Sequence, residues 1–473
     1  GRMCLDAAGY QTRRGDIKRV NGKGESMTFE TKGKENNGAT YGRRSDWQDL
    51  YSIAKKYYEA LLADPGNAQF HLTDPRGASD KSGRTFNNPY QYFFEQMHMD
   101  DAIYADESIY EYPMQQGGGN DGRPYSFGRP SSGGSKAAYP CKSYGQGRIN
   151  PAYFYGVFDP NDMRRDVSIT MTGSNGKGVE KLIPFVPNSK AEGGGLTLNK
   201  WDENRQANPW VAAQRKSGIN GPYMRMSEVY LGYAEVCAAL GDVVTGKQYL
   251  KTVRERSFPQ GLANTDAFIA SFGNDLVRAI IEERGFEYAG EGDRRWTLIR
   301  SGYLPEDIKR IKDMTKAMMD GLATKGYYEF ENGNIISAYI WTKLVDAKTI
   351  YGHRLTAQCP TDKVNDPVLY PGWRGQKDNW EGMGLNYGSS TPATNLAIKG
   401  LFEIVSEEEA ASLESQGYTK VNWGIDLVDN RDEYDKYLFW DYDYVSAPIY
   451  LWPFTPNVMA AGGFTNGYGF KQE

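Results

Sequence analysis

Between residues 45 and 62 the apolar positions Trp47, Leu50, Tyr51, Ala54, Tyr57, Tyr58, Leu61 and Leu62 recur at three- and four-residue spacing. That is the period of one face of an α-helix, with Ser45 or Asp46 to cap its start and Asp64-Pro65-Gly66 to end it. The same period returns at Met226, Val229, Tyr230, Tyr233, Ala234, Cys237 and Leu240. Gly241-Asp242 then predicts a turn, and Tyr249, Leu250 and Val253 resume the stripe on a second helix. The pair reads as a helical hairpin of about 34 residues, the length of a tetratricopeptide unit. Such a unit cannot bury its stripe alone and needs neighbouring hairpins. A third helix is predicted over 275–289, where Leu276, Ile280 and Ile281 begin an apolar face that Glu283, Arg284 and Glu287 interrupt. Charges on an inward stripe imply paired burial or a site.

The rest of the chain lacks a long period. Asn21 to Arg44, rich in Gly, Lys, Glu and Asn, reads as an exposed loop. Residues 104–160 carry Gly117-Gly118-Gly119, Gly133-Gly134 and Pro113, Pro124, Pro130, Pro140 and Pro151, which forbid a continuous helix. Residues 328–400 look similar, and Val167–Met171 and Ile335–Leu344 are strand-like runs inside these excursions. The fold class is therefore mostly α: tetratricopeptide-like helical hairpins with long aromatic, Gly-rich loop excursions and a few short strands.

Composition narrows the chemistry. The 473 residues carry 55 Lys and Arg against 60 Asp and Glu, a net charge of −5, with no basic stretch beyond Arg13-Arg14 and Arg43-Arg44. Phosphate neutralisation thus has no source, and no nucleic-acid partner is expected. No apolar run reaches the ~18 residues of a spanning helix. The four cysteines form no Cys-x-x-Cys pair and the three histidines have no metal-ligand spacing, so neither a metal nor a cofactor is expected. Asp435, Asp441 and Asp443 lack an EF-type loop and read as a solvated face. No phosphate-binding glycine motif and no G-x-S-x-G elbow is present.

Two constellations remain. Glu283, Arg284, Glu287, Glu291 and Arg295 crowd one stretch. A glycosidase needs two carboxylates, one with a raised pKa, whereas neighbouring arginines lower it, so a structural ion network is the preferred reading. The 34 Tyr, 19 Phe and 10 Trp are the other unusual feature. A sugar ring has an apolar C–H face that a flat aromatic can cover while polar side chains bond its hydroxyls. Loop context selects Tyr125, Phe127, Tyr139, Tyr144, Trp373, Trp380 and Tyr387 as ligand-binding candidates. A ring packed beneath its own loop is the ordinary outcome for any one of them, but some of the set should be open.

Three stretches carry the motifs of one known family. Arg225-Met226-Ser227-Glu228-Val229-Tyr230-Leu231-Gly232-Tyr233-Ala234-Glu235, with Val253-Arg254-Glu255-Arg256, is similar to its "R-x-x-E-V-Y-L-x-x-A-E" helix and "V-R-x-R" partner. Ile281-Glu282-Glu283-Arg284-Gly285-Phe286-Glu287 and Gly290-Glu291-Gly292-Asp293-Arg294-Arg295-Trp296 resemble its "E-R-x-x-E-L-x-x-E-G-x-R" signature, departing at Gly285-Phe286 and again at Thr297. Tyr450-Leu451-Trp452-Pro453 is similar to its closing "Y-L-W-P". Asn88–Phe94, Glu107–Glu111 and Phe158–Asp166 add supporting matches in the right order, and together these stretches resemble the SusD/RagB-like outer-membrane glycan-binding lipoproteins.

The resemblance implies an α-α superhelix in one unit, with repeat helices in 1–103, a glycan-facing excursion in 104–165, the repeat hairpin and signature helix in 222–302, and a loop-rich region in 303–473. It implies non-catalytic binding of an oligo- or polysaccharide at the outer membrane's extracellular face. The implied partner is a SusC-like TonB-dependent transporter. The signature would stitch the last repeat to the core. Gly1 to Arg14 resembles the middle of a family member, so the early repeats and the lipid-anchor cysteine are expected outside this chain. Two rivals stay open: a glycoside hydrolase with a carboxylate pair brought together by folding, and a repeat scaffold or adhesin component that binds protein.

Overall fold

The computed structural model describes residues 1–75, 88–98, 104–115, 117–118, 122–131, 142–174, 180–188, 193–202, 215–346, 394–438 and 443–471. Its helices are α1 (Arg2–Ala8), α2 (Trp47–Ala63), α3 (Pro89–Gln96), α4 (Gly122–Phe127), α5 (Arg164–Ser168), α6 (Met226–Ala239), α7 (Val243–Glu255), α8 (Thr265–Ala270), α9 (Leu276–Glu287), α10 (Asp293–Ser301) and α11 (Leu304–Lys325), with shorter helices after residue 400.

The predicted hairpin is α6–α7. Gly241 turns the chain with φ 93°, a conformation open to glycine, and the Asp242 side chain caps α7 by accepting from the Thr245 amide at 3.2 Å. α6 is buried on nearly every face because it lies between two layers. On one side Met226, Val229, Tyr233, Val236 and Cys237 pack on Leu5 and Ala8 of α1 and on Tyr51, Ala54 and Tyr58 of α2. On the other, Leu231 and Ala234 meet Leu250 and Val253 of α7, Ile269 of α8, and Leu276, Ala279 and Ile280 of α9. Gly232 permits the α2 contact, since a Cβ there would lie 2.6 Å from the Tyr58 ring. These stacked helices are the tetratricopeptide-like scaffold, and the mostly α fold class holds.

A second core lies under the later part of the chain. Phe154 and Tyr155 of the π-helical segment Tyr153–Val157, Phe158 just after it, Met318, Met319 and Leu322 of α11, and Trp423 surround one apolar interior. An antiparallel sheet of Tyr339–Asp346 between Thr394–Lys399 and Thr419–Asn422 packs against it.

The described residues correct the sequence reading at several points. The stretch 303–473, expected to be loop-rich, contains the 22-residue helix α11. Part of Asn21–Arg44 is not loop: Phe29–Thr31 and Ala39–Arg44 pair with Gln11–Arg14, and the buried Tyr41 donates to the Ile299 carbonyl. Of the strand-like run Val167–Met171, Ile169–Thr170 is a strand paired with Thr197–Leu198, but Val167 and Ser168 end the helical turn of α5 that follows the 3.0 Å hydrogen bond from the Arg164 amide to Asp162. Residues 104–160 include the strand Ser108–Tyr112, α4 and the π-helical segment as well as loops. Among the described residues no helix is long and apolar enough to cross a membrane.

Candidate functional site

The strand Gly221–Arg225 runs directly into α6 and pairs antiparallel with Ser108–Tyr112, with irregular register between Ser108 and Glu111. Arg225, its last residue, turns inward to a buried lattice of charges. Glu287 of α9 is the hub: its Oε1 meets Arg225 at 2.5 Å and Arg256 at 2.6 Å, and its Oε2 meets Arg164 at 3.0 Å. Glu107, just before the strand, holds the same Arg225 at 3.0 Å and Arg256 at 2.6 Å. Glu291 takes Arg225 at 3.0 Å and Lys200 at 2.7 Å. Glu283 pairs with Arg164 at 2.7 Å and Arg254 at 3.0 Å, and Asp162 grips Arg164 through two bonds of 2.9 and 2.7 Å.

Burial alone would push the Glu287 carboxyl up, but Arg256, Arg225 and Arg164 outweigh it and hold it far below the usual carboxylate range. Burial pulls the Lys200 ammonium down to about 8, against the opposing pull of Glu291. A carboxylate so depressed cannot serve as a general acid near neutral pH. The lattice therefore joins five parts of the chain: the excursion strand, α5, the segment around Lys200, the α6–α7 hairpin, and α9 with the turn after it.

Arg284 also joins a buried pair, with Asp293 at 2.5 Å. Arg295 does not: it is exposed and donates to the Tyr450 carbonyl. Its neighbour Arg294 turns inward instead, to Glu282 at 2.7 Å and Asp307 at 3.0 Å. Successive helical residues point about 100° apart, so only one of the two arginines can face the core. Arg295→Ala is expected to change unfolding free energy by no more than about 0.5 kcal/mol in urea denaturation.

The outer face of the strand pair is aromatic. Alternation sends Glu111 inward, where Ala105, Ser108 and Asn220 donate to its carboxylate, and sends Tyr110 and Tyr112 outward. Tyr223 joins them from the partner strand, and the three rings meet edge to face at 5.3 to 6.0 Å. They are 52%, 45% and 48% exposed, respectively. A cavity of about 360 Å³ opens beside Tyr112 and Tyr223, lined also by Arg2, Arg123, Glu228, Asp293 and Trp296. Burial pushes the Glu228 carboxyl up, opposed by Arg284 and by Arg2 at 3.2 Å.

The ribbon continues past its strands. The Met114 amide donates to Asn220 at 2.9 Å and the Gly117 amide to the Lys216 carbonyl at 3.0 Å, leading to Arg215 and α4. Here Phe127 is exposed and Tyr144 half-buried. Tyr125, chosen as an open ring, is only 7% exposed: it packs on Tyr144 at 4.9 Å, and the Arg215 guanidinium covers its face at 4.0 Å. Tyr139, Trp373, Trp380 and Tyr387 lie outside the described residues. The sequence reading missed Tyr110, Tyr112 and Tyr223, although the Tyr-x-Tyr spacing of a strand was a usable signal.

A stack of helical hairpins tied by buried ion pairs to an aromatic ribbon defines a repeat-built scaffold with one exposed aromatic face. The chain belongs to the SusD family, whose model matches residues 68–453. SusD-like protein P25 of Formosa agariphila is 28% identical to it over 160 residues, 34% of this chain and 26% of that protein. A solved SusD homolog from Bacteroides thetaiotaomicron shares 18% identity at a TM-score of 0.40, covering 56% of this chain and 52% of its own. Surface glycan-binding protein A from the same species, solved in complex with laminarihexaose, has 18% identity and a TM-score of 0.36 over 55% of this chain and 52% of its own. The chain thus spans 26% of the curated relative's length and about half of these solved proteins.

Proposed function

We propose that the chain binds an oligo- or polysaccharide at the cell surface without cleaving it. The observation that carries this reading is the exposed Tyr110–Tyr112–Tyr223 cluster, three rigid rings beside a polar cavity. Flat amphipathic rings cover the C–H faces of sugars at low entropic cost, and the cavity's arginines and carboxylates can bond hydroxyl pairs. Family membership and the buried partners of Glu283 and Glu287 support capture over hydrolysis, because those carboxylates are committed to arginines. The reading extends to a lipid anchor at the outer membrane and to passage of the captured glycan to a SusC-like TonB-dependent transporter.

Affinity electrophoresis through gels containing different polysaccharides tests capture, and reducing-end assays on the same mixtures test cleavage. Retardation by at least one polysaccharide with no new reducing ends is the expected result. Migration unchanged across the panel, or release of reducing ends, contradicts the proposal.

A further inference from the structure

The end of the ribbon near α4 carries a second arrangement whose chemistry differs from that of the open tyrosines. Four side chains form one column. The Arg215 guanidinium lies 4.0 Å over the Tyr125 ring, Tyr125 and Tyr144 meet at 4.9 Å and 39°, and the Lys142 ammonium stands 5.1 Å from the Tyr144 ring centre. Neither Arg215 nor Lys142 has a carboxylate partner among the described residues, whereas the arginines of the lattice each have one or more. Among the described residues, the buried Arg215 Nε has no acceptor. Arg215 also holds φ at 65°, a left-handed conformation that side-chain-bearing residues rarely adopt and that the local structure must enforce.

These features disfavour a neutral sugar at this position. The ring face that a sugar's C–H groups would need is already covered by a guanidinium. What the column carries is positive charge: a half-buried guanidinium, a planar and weakly hydrated set of donors backed by an aromatic ring, with a half-buried ammonium at the other end. A guanidinium fork matches the paired oxygens of a carboxylate or a sulfate, and such charge-assisted bonds are the strong ones. Resting on the capture reading above, we infer that the ligand is an anionic glycan and that the Arg215–Tyr125–Tyr144–Lys142 column binds its acidic substituent. The open tyrosines farther along the ribbon then stack on neighbouring sugar rings.

The test is calorimetric titration of the chain with hexagalacturonate (carboxylate), dextran sulfate (sulfate) and laminarihexaose (neutral), at low and at moderate salt. The variants are Arg215→Gln, Lys142→Gln, the pair together and Arg215→Lys, each checked for an unchanged melting profile. One of the two anionic probes should bind at least tenfold tighter than laminarihexaose at low salt and weaken as the Debye length shrinks. The double variant should lose about tenfold or more for that probe and leave laminarihexaose unchanged, and Arg215→Lys should recover only part. If the double variant melts early, the two single variants carry the comparison. Laminarihexaose binding as tightly as both anionic probes, or anionic binding unmoved by the variants, overturns the inference while glycan capture stands. Absence of binding to every probe and polysaccharide overturns both. Which anionic probe responds separates carboxylate from sulfate recognition.

Discussion

Glu287→Gln is expected to lower the unfolding free energy by about 3–5 kcal/mol in urea denaturation at pH 7, the largest effect of any single substitution discussed here. The side chain is wholly buried and its two oxygens serve Arg225, Arg256 and Arg164. An amide of the same shape preserves packing but leaves a surplus of positive charge where water cannot reach. Glu107, Glu283 and Asp162 continue to serve the same arginines, so partial compensation places the result within that range rather than above it.

This lattice and the neighbouring Glu282–Arg294–Asp307 cluster set the acid limit. The folded-state pKa values of Glu287 and Glu282 lie below those of free carboxylates: burial opposes this, and the neighbouring arginines prevail. A depressed carboxylate contributes stability that is complete above the unfolded value of about 4.3 and is lost as pH falls through the folded value. The urea midpoint should therefore drop steeply below about pH 4.3, and Glu287→Gln should flatten that slope.

The second large effect concerns binding. Replacing Tyr110, Tyr112 and Tyr223 together by alanine is expected to abolish polysaccharide retardation, since each stacked ring contributes about 0.5–1.5 kcal/mol beyond area burial. All three are substantially exposed, so the melting temperature should stay within a few degrees of the parent. Single substitutions should weaken binding about two- to tenfold. Loss of retardation with an unfolded variant would say nothing about the site, which is why the melt accompanies the gel.

The helical scaffold was legible because its signal is local. Met226 through Val253 keep one period across a turn, and the observed α6–α7 hairpin follows it. α11 carries the same kind of signal in Ile308, Ile311, Thr315, Met318, Met319 and Leu322, and the loop-like residues beyond it obscured the reading.

The lattice was only half legible. Glu283, Arg284, Glu287 and Glu291 are adjacent in sequence, but their partners Arg164, Lys200, Arg225, Arg254 and Arg256 come from other elements, and periodicity carries no information about those pairings. Arg295 was misread because proximity along a helix is not a shared face. The binding face suffered from the opposite error. Loop context favoured Tyr125, which a guanidinium covers, over the Tyr110-x-Tyr112 alternation that exposes two rings on one strand.

The central claim is that glycan lies across the tyrosine ribbon. Hydroxyl-radical footprinting of the folded chain, with and without a polysaccharide that retards it, measures this directly. Protection of Tyr110, Tyr112 and Tyr223, with exposed Tyr57 and Trp452 labelled equally in both states, is the predicted result. Unchanged labelling of all three ribbon tyrosines, or protection confined to Tyr57 or Trp452, would contradict it.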